Sequence, residues 1–154
     1  QAGYRPLVVK PYLGHRGEGI TVVWSPEELA GLPEAVTPML VQEYVAGPGE
    51  DLKVYVIGDE VSAVRKPFSA DSFTRPGRPF PVGDEVREIA ARAGRALGMG
   101  LFGLDIIEGP AGPVVVDVNY FPGYKGVPGA APRVAAYIEA YVLGQLELTA
   151  ALAR

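Results

Sequence analysis

Two aspartates and an asparagine lie in neighbouring apolar segments, residues 101–108 and 113–119, which are predicted to form β-strands. Side chains in a strand alternate between its two faces, so Asp105 points away from the apolar side chains that flank it. Asp117 and Asn119 point away from the valines of the second segment for the same reason. Both strands are therefore expected to bury a hydrocarbon face and to present oxygen atoms on the other.

The register of this hairpin decides whether the oxygen atoms meet. The intervening Pro110-Ala111-Gly112 fits a three-residue loop, with proline early in the turn and glycine at the left-handed position that ends it. Counting back from this loop sets Asp105 opposite Asp117, with their Cβ atoms ~5 Å apart. A four-residue loop would instead set Asp105 opposite Val116 and separate the carboxylates.

Two opposed carboxylates repel each other unless a cation lies between them. With the amide oxygen of Asn119, they would form an all-oxygen site for a hard divalent cation. So few protein ligands favour Mg²⁺, with its coordination completed by water and phosphate oxygens. The alternative is a solvated acidic face on a half-exposed hairpin.

A glycine-rich loop at residues 14–19 joins two predicted strands, and Lys10 ends the first of them. The backbone amides of this loop and the side chain of Arg16 could approach a phosphate chain. It is not a P-loop, because no Gly-Lys-Ser/Thr follows and no helix starts there. His15, the sole histidine, cannot form a histidine metal site. Further basic residues could contact an anionic substrate or serve solubility alone: Arg65, Lys66, Arg75 and Arg78.

Composition excludes several classes of protein. The 154 residues are 48% apolar and 21% charged, as in one ordinary globular domain, and 20 glycines with 15 prolines predict many loops. The absence of cysteine excludes disulfides and thiolate chemistry. A net charge of −4 argues against a nucleic-acid partner. No apolar run or leader indicates a membrane or secretory segment, so a cytoplasmic protein is expected.

Short strands joined by tight turns must position these residues. We predict strands at 6–10, 20–24, 39–45, 51–57, 60–66, 101–108 and 113–119, an irregular segment at 67–82, and helices at 25–31, 84–97 and from 130 to about 152. The helix faces predicted to be buried are Val86, Ile89, Ala90, Ala93 and Leu97, and then Val134, Ile138, Tyr141 and Val142. This pattern indicates an α+β fold with antiparallel sheets.

Five segments together resemble the ATP-grasp superfamily: PLVVKP with its glycine loop, VQEYV, DLKVYVIGDEVSAVRKP, GLDII and VVVDVNYFPGYKGV. The resemblance runs from residue 6 to about residue 143. It is closest to RimK-like amino-acid ligases and to inositol trisphosphate kinases, and NYFPGYKGV and RKP resemble the kinases most.

The resemblance implies two lobes that grip ATP between them. Residues 1–45 would be the remainder of the smaller lobe, and residues 46–154 the C-terminal lobe with the metal site. Family members carry an N-terminal substrate domain that does not precede Gln1 here, so the chain is expected to be a C-terminal fragment.

The resemblance also implies residue roles. For the nucleotide, these are Lys10 at the phosphates, the backbone of Gln42, Glu43, Tyr44 and Val45 at the adenine edge, and Asp51 at the ribose. For catalysis, Lys53 and Arg65 would face phosphate or an acyl phosphate. Asp105, Asp117 and Asn119 would hold one or two Mg²⁺ ions, with Mn²⁺ as a substitute. Lys66, Arg75 and Gly123 would lie near the acceptor. The family often has glutamate where this chain has Asp117.

Three functions remain open from the sequence. The first is an ATP-grasp ligase that joins a carboxylate to an amine through an acyl phosphate, with a small molecule or a peptide as acceptor. The second is a kinase of a polyol phosphate, which NYFPGYKGV favours. The third is a non-catalytic nucleotide-binding fragment. The apolar terminal helix could support a homo-oligomer or simply cap the sheet.

Overall fold

The computed structural model describes residues 4–14, 17–68 and 75–146. His15 and Arg16 of the glycine loop, and the predicted helix beyond residue 146, lie outside the described residues. The chain divides into two compact units, Gln1–Val45 and Ala46–Arg154, called unit 1 and unit 2 below. The assignment of the units to the two lobes stays a prediction.

Unit 1 is a small antiparallel sheet. It contains β1 (Leu7–Pro11), β2 (Thr21–Val23), the short helix α1 (Pro26–Ala30) and β3 (Met39–Glu43), in the sheet order β2-β1-β3. β1 pairs with both neighbours, Leu7 lying opposite Val23 on one side and Glu43 on the other. β1 is therefore the central strand, and β3 is left as an edge.

Two hydrogen bonds of Glu28 fix the start of α1, in the segment where the sequence predicts a helix. The Glu28 amide donates to Ser25 Oγ over 3.2 Å, and the Glu28 carboxylate accepts from the Trp24 amide over 2.7 Å. Pro26 takes the first helical position, where its missing N–H costs nothing. Gly31 ends the helix after five residues.

Unit 2 is a five-stranded antiparallel sheet with two helices. It contains β4 (Glu50–Ile57), β5 (Glu60–Pro67), β6 (Arg78–Phe80), α2 (Asp84–Leu97), β7 (Leu101–Gly109), β8 (Gly112–Asn119) and α3 (Ala130–Val142). The sheet order is β6-β5-β4-β7-β8. The predicted α+β class with antiparallel sheets is confirmed. β6 was predicted as irregular, because three residues that include Pro79 are too few to show an alternating pattern.

The two faces of this sheet bury different sets of side chains. The first, called the core face, is covered by α2 and buries Leu52, Val54, Val56, Ala63, Val86, Ala90, Phe102, Leu104 and Ile106. The opposite face is covered in part by the 120–129 loop and α3, and it buries Tyr55, Ile57, Val64, Tyr124 and Ala130. Because β4 is buried on both faces, its sequence is almost continuously apolar from Val54 onward.

Two predicted helix faces differ from the structure. Leu97, in the last turn of α2, is 46% exposed because the packed stripe ends at Ala93. In α3, Ile138, Tyr141 and Val142 are exposed, whereas Ala130, Val134 and Tyr137 pack against the sheet. The helix also ends at Val142, where Gly144 adopts a left-handed φ of 67°.

Two glycines receive the Tyr137 ring and so set the face that α3 buries. A Cβ at Gly100 would lie 1.7 Å from Tyr137 Oη, and a Cβ at Gly58 would lie 3.2 Å from the ring. At the start of the helix, Arg133 donates to Glu60 over 2.6 Å and to the carbonyls of Pro128 and Gly129.

No described helix is both long enough and apolar enough to cross a membrane.

Candidate functional site

The β7–β8 hairpin brings Asp105 directly opposite Asp117, as predicted, but it does so by a different route. The turn has two residues rather than three, because Gly109 pairs with Gly112. Continued without interruption, that register would set Asp105 opposite Val116. A β-bulge between Asp105 and Ile106 adds one residue to β8 and restores the pairing of the two aspartates.

The bulge also changes which valines share a face. Val115 now pairs with Ile106, and Val114 pairs with Ile107 on the other side of the sheet. The expectation that alternate valines of β8 form one buried face is therefore wrong. Three valines of this edge strand are 36–40% exposed: Val114, Val115 and Val118. Among the described strands, β7 alone pairs with β8.

Lys53 lies between two carboxylates on the side of the sheet away from α2. Its Nζ is 2.6 Å from Asp105 Oδ2 and 2.9 Å from Asp51 Oδ2. The Lys53 and Asp51 side chains are 14% and 13% exposed. Strand pairing sets Lys53 opposite Asp105, and Asp105 opposite Asp117. The name acid face is used below for this surface: Asp51, Lys53, Lys66, Asp105, Asp117 and Asn119.

Negative charge is in excess on the acid face. Burial raises the pKa of Asp105 above its ordinary value, and Asp51 and Asp117 raise it further, although Lys53 opposes them. Burial lowers the pKa of Lys53, but Asp105 and Asp51 more than offset this, so its pKa is raised. The nearby phenol of Tyr55 responds mainly to burial, which raises its pKa to about 12. A further cation would therefore stabilise these carboxylates.

The donors on this face fit a magnesium ion. Asp105 and Asp117 supply carboxylate oxygens, and Asn119 supplies an amide oxygen two residues along the same face. Asn119 Oδ1 accepts a hydrogen bond from the Phe121 amide over 3.3 Å, which leaves its second lone pair available. Within residues 4–14, 17–68 and 75–146, no three His, Cys, Asp or Glu side chains form a metal cluster. Non-protein oxygens would have to complete the coordination.

Lys66 belongs to the acid face. It pairs with Asp51 across β4 and β5, and its side chain is only 4% exposed. A Cβ at Gly77 would lie 3.1 Å from Lys66 Cγ, so the chain crosses closely over the lysine stem. Burial lowers the pKa of Lys66, and the charges of Lys53 and Lys125 lower it further. This lysine would therefore gain from a nearby anion.

The structure does not bring Arg65 together with Lys53. Arg65 pairs with Leu52, so its side chain lies at the end of the core face. There its guanidinium contacts Glu108, lies 3.8 Å from Glu50, and stacks 4.0 Å from the centre of the Phe80 ring. Adjacent residues of a strand point in opposite directions, so only one of Arg65 and Lys66 can share a face with Lys53.

The predicted adenine segment lies at the edge strand of unit 1. The Tyr44 amide donates to the Pro6 carbonyl over 2.9 Å, so the backbone of Tyr44 is engaged with β1. Alternation along an antiparallel edge then turns the Glu43 carbonyl and the Val45 amide outward. Lys10 lies on β1 opposite Leu40 in the same unit. Of the predicted four-residue segment, two residues thus offer backbone groups to a ligand.

Two other predicted residues lie in loops of unit 2. Arg75 is exposed at the start of the segment that leads into β6, and Gly123 is exposed in the 120–129 loop. The loop is anchored beside Gly123. The Tyr124 ring packs against the Tyr55 ring in a tilted arrangement, with the ring centres 5.5 Å apart, and the Tyr124 hydroxyl donates to the Val56 carbonyl over 3.2 Å.

Gly126 holds this loop against the segment that covers Lys66. It adopts a φ of 90°, and a Cβ there would lie 2.6 Å from the Gly77 carbonyl oxygen. Gly126→Ala is therefore expected to lower the free energy of unfolding by about 2–3 kcal/mol, because both backbones must shift. Chemical denaturation measures this. Gly129→Ala is the matched control, because φ is 64° with no atom within 4 Å. Equal losses in both variants would contradict the close packing.

The raised pKa of Asp105 predicts a pH dependence of stability. Between the unfolded value of 3.8 and the raised folded value, the folded state binds more protons than the unfolded state. The contribution of Asp105 to stability therefore falls as pH rises through this window. Asp105→Asn is expected to remove that contribution. The free energy of unfolding of the parent chain and of the variant, each measured by denaturation from pH 3 upward, gives the difference between the two profiles. A difference profile of the opposite slope would refute it.

Comparisons with known proteins show which family this chain resembles. A family model described as the RimK-like ATP-grasp domain matches residues 2–138. A probable alpha-L-glutamate ligase of Xanthomonas campestris pv. campestris (strain B100) is 32% identical over 139 residues, covering 82% of this chain and 48% of the relative. A probable alpha-L-glutamate ligase 1 of Shewanella amazonensis is 31% identical over 153 residues, covering 91% and 51%.

Solved structures support the same fold. The ATP-grasp ligase PsnB, complexed with minimal precursor, Mg and ADP, matches with a TM-score of 0.63 and 26% identity, covering 87% of this chain and 46% of that chain. A RimK domain protein ATP-grasp from Sphaerobacter thermophilus DSM 20745 matches with a TM-score of 0.63 at 23% identity, covering 92% and 54%. The second match shows the fold alone.

The chain spans about half the length of the curated relatives it matches. The family model covers all five strands of the unit 2 sheet and all three strands of unit 1. The relatives named above are ligases. The chain belongs to the RimK-like ATP-grasp family of ligases.

Proposed function

We propose that the protein is an ATP- and Mg²⁺-dependent ligase that joins a carboxylate to an amine through an acyl phosphate. The observation that carries this proposal is the opposed pair Asp105 and Asp117 on one sheet face with Lys53. Phosphoryl transfer needs positioned substrates and neutralised charge more than it needs a nucleophilic side chain. The acid face supplies anions for a metal and ammonium groups for phosphate oxygens.

Each residue of the acid face has a role in this proposal. Asp105, Asp117 and Asn119 would hold Mg²⁺, which supplies charge neutralisation to the β- and γ-phosphates. Lys66 would bind a phosphate oxygen, since burial beside two other ammonium groups favours an anionic neighbour. Asp51 positions Lys53 through its 2.9 Å contact. Arg65, which was expected beside Lys53, would instead anchor the end of the sheet.

The proposed reaction has two steps. A carboxylate oxygen of the acceptor attacks the γ-phosphorus of ATP, and the bond from that phosphorus to the bridging oxygen breaks to release ADP. The amine then attacks the acyl carbon, the carbon–oxygen bond to phosphate breaks, and the amine loses a proton as the amide forms. The ammonium groups of Lys53 and Lys66 would stabilise the charge that accumulates on the equatorial oxygens.

Unit 1 would bind the nucleotide base and phosphates. The outward Glu43 carbonyl and Val45 amide can accept from and donate to an adenine edge, and Lys10 can reach a phosphate oxygen. Arg75 and Gly123 are proposed near the acceptor. By the names of the relatives, the amine is that of an amino acid, L-glutamate, added to a small-molecule or peptide carboxylate. ATP use fits the predicted cytoplasmic location. A homo-oligomer stays a prediction.

The kinase alternative depends on the segment NYFPGYKGV. The relatives reported above are ligases, which favours the ligase. Incubating the longer parent protein with ATP, an acceptor mixture and hydroxylamine distinguishes the two. Hydroxamate formation supports an acyl phosphate, whereas a phosphorylated polyol without hydroxamate refutes the ligase.

Isothermal titration of this chain with Mg·ATP tests the nucleotide site itself. We expect binding that requires Mg²⁺ and disappears in Asp105→Asn, with Asp59→Asn as the control carboxylate in an exposed turn. Binding of equal strength with and without Mg²⁺ would contradict the proposal.

A further inference from the structure

One edge of the unit 2 sheet is only partly covered. β5 runs over Glu60–Pro67, but β6 pairs only with Ala63, Val64 and Arg65. β6 stops at Phe80 because Pro81 follows and the chain turns into α2. In the part of the chain that the structure describes, residues 60–62 thus have no strand partner on their outer side.

The hairpin register tells which backbone groups face this gap. The two-residue turn at Gly58 and Asp59 makes Ile57 and Glu60 a hydrogen-bonded pair. Hydrogen-bonded pairs recur at alternate residues, so Ser62 also bonds to β4. The amide and carbonyl of Val61 therefore point away from β4, into the gap. Pro79 agrees with this alternation, because it lies opposite Val64, whose groups bond to β4.

A cavity of about 380 Å³ lies along this open edge. Its floor is Val61, Ser62 and Ala63. One wall holds Phe80, Val82 and Arg87, and the other holds Gly126, Val127, Pro128 and Arg133. The floor is a strand edge, the walls combine apolar side chains with two arginines, and the volume falls in the range of ligand sites. These features favour a short extended peptide over a compact molecule.

The charged side chains that line this cavity are both arginines. Arg87 and Arg133 line it, and none of its lining residues is acidic. Arg133 is already held by Glu60 at 2.6 Å. No described carboxylate lies within ion-pair distance of Arg87, although Asp84 and Glu88 flank it on α2. A carboxylate of a bound ligand would therefore pair with Arg87 rather than with Arg133.

We propose that this cavity, called the β5 groove, binds an extended segment of an acidic peptide as an added strand. The outward amide and carbonyl of Val61 would hydrogen-bond the peptide backbone, and Arg87 would pair with an acidic side chain. Residues 60–62 supply the template that β6 leaves open. The inference goes beyond the proposed ligase activity and does not depend on it.

Fluorescence anisotropy of the 154-residue chain with labelled, end-capped hexapeptides tests this. Thr-Glu-Val-Glu-Val-Thr is expected to bind about tenfold more tightly than Thr-Lys-Val-Lys-Val-Thr. Arg87→Glu is expected to reverse that preference, whereas Arg92→Glu, on the same helix but outside the groove, is expected to leave it within about twofold. Equal binding of both peptides, or an unchanged preference in Arg87→Glu, overturns the proposal.

Changes in the peptide, rather than in the protein, test whether the peptide binds as an added strand. Alternate amides of an extended peptide point to opposite edges. Methylation of one alternate set is expected to abolish binding, while methylation of the other set preserves it. Unchanged binding of both methylated peptides, or displacement by an equal concentration of free L-glutamate, overturns strand addition.

The proposed ligase activity and the proposed peptide binding can be refuted independently. Arg87→Glu is expected to leave the Mg·ATP titration unchanged, because Arg87 lies on α2, which covers the core face. Loss of nucleotide binding in this variant would join the β5 groove to the nucleotide site and contradict their independence.

Discussion

Asp117→Ala is expected to abolish Mg²⁺-dependent nucleotide binding in this chain and to lower the turnover of the longer parent protein roughly a thousandfold. The aspartate is one of only two carboxylates that the hairpin sets face to face. When Asp117 is removed, the remaining carboxylate of the pair, Asp105, still forms its ion pair with Lys53. Too few oxygen donors then remain to bind a hard cation. Calorimetry and steady-state kinetics measure the two effects.

The fold is expected to survive this change. Asp117 lies on the exposed edge strand, so Asp117→Ala should melt within a few degrees of the parent sequence. Asp59→Ala, in the exposed turn between β4 and β5, serves as the control for loss of a carboxylate. Retention of Mg²⁺-dependent binding in Asp117→Ala, or its loss in Asp59→Ala, would place the metal elsewhere.

Lys53→Met is expected to lower the free energy of unfolding by about 3–5 kcal/mol. The ammonium lies 2.9 Å from Asp51 and 2.6 Å from Asp105, and its removal takes the ion-pair partner away from two largely buried carboxylates. Methionine keeps the length of the aliphatic stem, so the loss reports the charge. Urea denaturation at neutral pH measures it.

A second substitution separates charge from packing. In the double variant Lys53→Met with Asp105→Asn, a neutral amide replaces one of the two carboxylates that lost the lysine. Part of the lost stability should therefore return. Lys125→Met, at an exposed lysine of the 120–129 loop, is the control for loss of a positive charge. Equal destabilisation by Lys53→Met and Lys125→Met would show that the ion pairs of the acid face contribute nothing.

The sheet and its acid face follow from local rules in the sequence. Alternation of polar and apolar residues predicts that Asp105 and Asp117 lie on one side of neighbouring strands, whereas the role of Lys53 came from the resemblance. The two-residue gap between the strands predicted at 51–57 and 60–66 fits a tight turn. These patterns depend on a period of two residues and on turn chemistry, which short segments specify by themselves.

The route to the opposed aspartates could not be predicted in the same way. A two-residue turn and a bulge at Val116 replace the expected three-residue loop, and both routes give the same pairing of Asp105 with Asp117. A bulge in a run of valines leaves no residue signal, because each of Val114, Val115 and Val116 is equally suited to the strand.

The division between Arg65 and Lys66 is another consequence of alternation, but one that depends on register. Once β4 and β5 pair as Leu52 with Arg65 and Asp51 with Lys66, only the lysine can lie on the acid face. The resemblance assigned the stronger role to the arginine. Ala63 of the core face lies two residues before Arg65, so the same alternation places Arg65 on that face.

The buried face of α3 depends on contacts that are distant in sequence. Gly58 and Gly100 leave room for the Tyr137 ring, and this turns Val142 to solvent. An apolar stripe alone predicted a different rotation of the helix, because several rotations of α3 bury similar numbers of apolar side chains.

Paramagnetic broadening by Mn²⁺, added with ATP in place of Mg²⁺, locates the metal on the sheet. In the ¹⁵N-labelled chain, we expect the amide signals of Asp105, Asp117 and Asn119 to broaden first, while that of Arg92 on the outer side of α2 persists. Broadening centred on Glu50 and Glu108 at the core face, or spread evenly over unit 2, would contradict a metal site on the acid face.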